Sequence, residues 1–149
     1  MSPALLASLA GRFNVPYIHF VPIASQIFAV AAGGAAGALA RFGLSLAISR
    51  PDRPLYLATL LTNVIGCFLI GLAFRYFDAR QSSEWVRAAC VTGVLGAFTT
   101  FSTFSLETMH LIEQRDYTHA IINIGASVLL GLAAASLGLA LGPRPPVHG

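Results

Sequence analysis

The chain has no lysine, six acidic residues against nine arginines, two cysteines and one tryptophan among its 149 residues. Each scarcity excludes something. With 10% of residues charged, 56% hydrophobic and a mean hydropathy of +0.73, the composition lies outside the range of soluble domains. The chain therefore reads as an integral membrane protein. Its arginines are scattered through short loops with no basic run, which argues against nucleic acid or an anionic surface as partner. Cys67 and Cys90 lie in or beside apolar segments, where they act as small hydrophobes rather than as a disulfide or a metal pair. His19, His110, His119 and His148 show neither metal-ligand spacing nor a nucleophile partner, so no catalytic constellation is apparent and the chain does not read as an enzyme. The N-terminal stretch MSPALLASLAGRFNVPYIHFVPIAS lacks a basic leader and carries Arg12 in its apolar part. It makes a poor signal peptide and reads as an irregular or interfacial extension broken by Pro3, Pro16 and Pro22.

What the chain has instead is long apolar runs. A membrane-crossing helix needs about 20 predominantly apolar residues, and four stretches qualify: Ser25–Ile48, Leu57–Phe77, Arg87–Ile112 and His119–Leu141. The links SRPDRP, DARQSSE and EQRD carry the charge and proline expected at a membrane surface. The expected organisation is an N-terminal extension (1–24), an all-α transmembrane domain of four helices (25–142) and a C-terminal tail (143–149). An even number of spans places both ends on one side. That side collects Arg12, Arg75, Arg80, Arg87 and Arg144, the other Arg50, Arg53 and Arg115. So small a bias suits insertion in both orientations as an antiparallel pair, although insertion in one orientation is compatible with it too. Four short helices cannot enclose a wide cavity alone, so transport calls for an oligomer. Small residues suited to close helix contact recur in GGAAGALA (33–40), at Gly66 and Gly71, and in GLAAASLG (131–138).

Polar groups inside the spans mark functional candidates, because each must gain a partner that offsets its desolvation. Arg41 lies two-thirds along the first span. It either snorkels to the interface or serves an anion vestibule or the carbonyls of a broken helix. Asn63, flanked by Thr59 and Thr62, carries two N–H donors for another helix or for a passing anion. Asn123 and Ser127 share a face of the fourth span, as a polar track or an interhelical contact. The densest polar run is GVLGAFTTFSTFSLE (93–107). Gly93, Gly96 and the pair Thr99–Thr100 predict a broken third helix, a setting that frees carbonyls for a cation and a helix N-terminus for an anion. Beyond the break Phe101 and Phe104 share one stripe with Ser102 and Thr103 beside them. Glu107, near the end of the run, is expected to reach water unless the break sets it deeper.

Three motifs, GGAAGALARF with Arg41, LATLLTNVIGCFLIG with Asn63, and GVLGAFTTFSTFSLE, resemble the Fluc (also called CrcB) family of fluoride channels, the likeness running from about Ala31 to Leu141. The resemblance implies an antiparallel, dual-topology homodimer in the plasma membrane (the bacterial inner membrane) that lets fluoride leave the cytoplasm passively. By position, Phe101 and Phe104 match the pore phenylalanines, Asn63 the pore asparagine, and Ser102, Thr103 and Ser127 the polar track, with Arg41 beside them in the pore set. Gly96 and Thr99 match the residues whose backbone carbonyls hold a structural sodium ion at the dimer centre. Asn123 departs from members with tyrosine there, and Ala97 from those with a second glycine. The rival reading is a four-span, proton-coupled exporter of the small multidrug resistance type. That chemistry needs a membrane-embedded carboxylate, generally in the first span; this chain has Arg41 there, and its only candidate acid is Glu107.

Overall fold

The computed structural model describes residues 23–51 and 53–143. The expected N-terminal extension (1–24) falls almost wholly outside these residues, as does nearly all of the C-terminal tail (143–149), with Arg12, Arg144, His19 and His148. The described chain is all helical: α1 (Ile23–Ile48), α2 (Tyr56–Arg80), α3 (84–98), α4 (Phe101–Glu113) and α5 (Tyr117–Leu141). α1, α2, the α3–α4 pair and α5 are each long and apolar enough to cross a membrane. At 1.5 Å per residue the 25 residues of α2 or α5 reach about 38 Å, enough for the hydrocarbon core with some tilt.

The helices end where the local chemistry predicts. Gln81 closes α2 in the left-handed conformation (φ 46°), its N–H returning to the carbonyls of Asp78 and Phe77. Asp116 caps α5 by accepting from the backbone N–H of His119 at 3.2 Å. That bond first, and then the bond to the His119 ring, hold the Asp116 carboxyl below the usual carboxylate range.

The bundle forms from two tight pairs, α1 with α3 and α2 with α5, with α4 lodged against α2 and α5. Small residues make both seams. A Cβ on Gly33 or Gly37 would overlap the carbonyls of Ala89 and Val94 across the α1–α3 seam. A Cβ on Gly71 or Gly138 would overlap those of Ala135 and Phe68 across the α2–α5 seam. Large apolar side chains point outward on every span, among them Phe28, Leu39, Phe74 and Leu129. The largest fully buried side chains are Asn123 and Thr62, so polarity is turned inward, as lipid requires.

α3 departs from a regular helix twice. Residues Ala88–Leu95 form a π-helix, a wide winding associated with functional sites. After one more turn, Gly96–Phe98, the chain becomes extended at Thr99 (φ −84°, ψ 155°) and Thr100 (φ −149°, ψ 120°) before α4 begins. The third span is thus broken as expected, with the turn at the two threonines. Gly93 and Gly96 remain helical, and Gly93 serves instead to let α3 approach Val30 and Gly33 of α1.

Candidate functional site

The site is built around the backbone N–H and C=O of Thr100. Asn63 on α2 donates from Nδ2 to the Thr100 carbonyl (3.0 Å), and its Oδ1 accepts from the Thr100 N–H (2.8 Å). One carboxamide thereby matches both backbone groups of Thr100, and their opposite polarity fixes which way the amide points. The second N–H of that amide has no protein acceptor among the described residues. The Thr100 hydroxyl caps α4, accepting from the Thr103 N–H at 3.3 Å, with the hydroxyls of Thr103 and Ser102 3.0 and 3.3 Å away. The Thr99 hydroxyl turns back to the Leu95 carbonyl at 3.0 Å.

These bonds divert two amides. In an unbroken helix the N–H of Thr100 would close on the carbonyl of Gly96, and that of Thr103 on the carbonyl of Thr99. Here the first goes to Asn63 and the second to the Thr100 side chain. Gly96 and Thr99, the two residues expected to offer carbonyls to sodium, therefore lose the donors a regular helix would have given them. Their carbonyls suit a hard, oxygen-seeking cation.

A cavity of about 370 Å³ runs beside the break and gathers Asn63, Gly96, Thr99, Phe101, Phe104 and Ser127 on its wall. The Phe101 and Phe104 rings lie 5.5 Å apart at 42°. Phe101 is 79% exposed, while Phe104 is half-buried. A second cavity of about 230 Å³ is lined by Arg41, Thr59, Thr62, Thr100 and Thr103. Thr100 borders both cavities. Arg41 is half-buried and makes no ion pair among the described residues, so its guanidinium gives the second cavity a positive wall. Ser102 lines neither cavity; its contact is the Thr100 hydroxyl.

Two features escape a reading of the sequence. Glu107, expected to reach water, turns inward: Oε1 accepts from Thr59 at 2.8 Å, and Oε2 is buried with no partner. The pairing with Thr59, 48 positions away, depends on how α2 meets α4. Thr108 sits mid-helix with no local motif, yet donates to the Phe104 carbonyl at 2.7 Å and accepts from Asn123 Nδ2 at 3.0 Å. The only sequence signal for it is the polar Asn123 in a largely apolar span.

Comparison with known proteins bears on this arrangement. Residues 28–139 match the family described as CrcB-like protein, Camphor Resistance (CrcB). The chain is 47% identical over 116 residues to a protein of Stutzerimonas stutzeri (strain A1501) named fluoride-specific ion channel FluC, covering 76% of this chain and 94% of that protein. It is 45% identical over 119 residues to a protein of the same name from Magnetococcus marinus, covering 78% and 97%. A third, from Dehalococcoides mccartyi, shares 40% over 119 residues, covering 78% and 92%.

Proposed function

The chain belongs to the CrcB family, and from that membership we propose that it is a fluoride-selective channel, letting fluoride leave the cytoplasm down its electrochemical gradient. The observation that carries the reading is the cavity shared by Asn63, Phe101, Phe104 and Ser127 at the broken helix, in a chain whose relatives are named as fluoride channels.

Fluoride is small and strongly hydrated, so a pore must replace its water with closely placed donors. The free N–H of Asn63 and the hydroxyl of Thr103 are such donors, and the Ser127 hydroxyl becomes one when its single proton turns from Asn123 to the ion. Phenyl edges carry the positive part of the ring quadrupole, so Phe101 and Phe104 can face an anion edge-on without the deep trap of a fixed cation. Several weak sites in series favour passage, since an ion must bind well enough to enter and weakly enough to leave. Arg41, beside Thr59, Thr62 and Thr103, would raise the local concentration of anions at one end of the path. Ser102, exposed at the start of α4, belongs to the same polar run.

The working unit proposed is an antiparallel homodimer in the bacterial inner membrane. A structural sodium ion would be held by the carbonyls of Gly96 and Thr99; when bound, it would fix the break and would move no charge with the fluoride. The diverted amides of Thr100 and Thr103 support that assignment. A proton-coupled exporter is less well supported, because the first span offers Arg41 and no carboxylate.

The experiment is flux from proteoliposomes read with a fluoride electrode. Fluoride is expected to leave far faster than chloride, with no proton gradient imposed. Equal rates for the two anions, or flux only with a proton gradient, would overturn the reading. Reconstitution with sodium replaced throughout by a large organic cation is expected to abolish flux; full flux would remove the sodium site.

A further inference from the structure

Ser127, Asn123, Thr108 and Phe104 form a hydrogen-bonded series that begins and ends on the wall of one cavity. Asn123 is 1% exposed, so it cannot itself meet an ion in that cavity. Its carboxamide reaches in two directions: Nδ2 donates to Thr108 Oγ1 at 3.0 Å, and Oδ1 accepts from Ser127 Oγ at 3.5 Å. The Thr108 hydroxyl has a single proton, which goes to the Phe104 carbonyl at 2.7 Å. It can only accept from Asn123, which fixes the orientation of the amide. Both outer members, Ser127 and Phe104, line the cavity beside the break.

Resting on the channel reading above, we propose that Asn123 and Thr108 are positioning residues for fluoride passage. They tie the backbone of Phe104 on α4 to α5, so that the ring and the Ser127 hydroxyl face the cavity at a fixed separation. A buried amide with both ends matched is costly to leave half-bonded, which makes the series rigid. The seam of α4 with α5 is much smaller than that of α2 with α5, and Leu106 and Met109 of α4 are exposed. The polar series therefore supplies alignment that apolar packing does not.

The test measures fluoride flux per folded protein for wild type, Thr108→Val and Thr108→Ser in the same liposomes. Valine keeps the shape of threonine without its hydroxyl, whereas serine keeps the hydroxyl without the methyl. Loss of a buried hydrogen-bond partner is expected to slow flux about tenfold in Thr108→Val, and Thr108→Ser is expected to stay within about twofold of wild type. Wild-type flux in Thr108→Val, or an equal loss in Thr108→Ser, would overturn the proposal. If Thr108→Val does not give monodisperse protein, Thr108→Ala, which cannot overpack, takes its place against Thr108→Ser with the same two outcomes. Failure of the wild type to discriminate fluoride from chloride would instead count against the channel reading itself.

Discussion

At the scale of single residues, the break and the path depend on different kinds of side chain. Asn63 acts on backbone: it satisfies an N–H and a C=O that would otherwise be unmatched in a low-dielectric interior, where each costs about 1–3 kcal/mol. The phenylalanines are proposed to act on what passes. Because Phe101 is 79% exposed, its ring adds little to the packing of its own subunit. Phe101→Ile is expected to change stability by no more than about 0.5 kcal/mol. Replacing either ring by an aliphatic chain removes the electropositive ring edge that would face the anion. Phe101→Ile or Phe104→Ile is therefore expected to cut fluoride flux up to about tenfold while the protein elutes as wild type on gel filtration. Unchanged flux in both variants would remove the rings from the mechanism. That these two rings stand together was legible in the sequence, since i, i+3 spacing on one helix puts them on one stripe. Asn63 was legible as a candidate, but its grip on Thr100 was not, because a partner 37 positions away leaves no local mark. Thr108 was missed for a similar reason: a threonine inside a helix looks like any other helical residue until its neighbour on α5 is known.

At the scale of elements, the seams between helices are backbone against backbone. Gly37 of α1 faces the carbonyl of Val94 so closely that even a methyl group would meet it, whereas Gly34, three residues earlier, faces open space. Gly37→Ala must therefore push α1 from α3 and is expected to destabilise the fold by about 1–3 kcal/mol. Gly34→Ala should leave it unchanged or slightly more stable. Thermal unfolding in detergent distinguishes the two, and equal melting temperatures would refute the close seam. The small-residue runs announced such seams, and hydropathy announced the spans to within a few residues. Neither revealed the π-helical winding of Ala88–Leu95. That winding depends on how α3 accommodates α1, and the alanine, valine and glycine there would suit an ordinary helix equally well.

At the scale of the whole molecule, large apolar side chains cover the outer surface while Thr59, Thr62, Thr108 and Asn123 are buried, an ordering that total composition foretold. Which helices pair was not readable, since all four spans have similar apolar faces. Among described arginines outside the spans' interiors, Arg75, Arg80 and Arg87 lie toward one end and Arg50, Arg53 and Arg115 toward the other, which leaves little charge bias to fix orientation. The opposed pair proposed above can be tested with two copies fused end to end. A fusion whose linker contains one extra membrane-crossing helix inverts the second copy and is expected to conduct fluoride. A fusion with a short soluble linker holds both copies parallel and is expected to be silent; conduction by the parallel fusion alone would rule out the opposed arrangement. The break in the third span bears on this too. A proline would have freed carbonyls by deleting an amide hydrogen, and would have done so in any surroundings. Here the hydrogens of Thr100 and Thr103 remain and are matched elsewhere, one of them by another helix. If α2 drew away, the Thr100 hydrogen could return to Gly96 and begin to heal the helix. The interruption is thus conditional on tertiary structure, and a chain not yet assembled is free to enter the membrane with its third span whole.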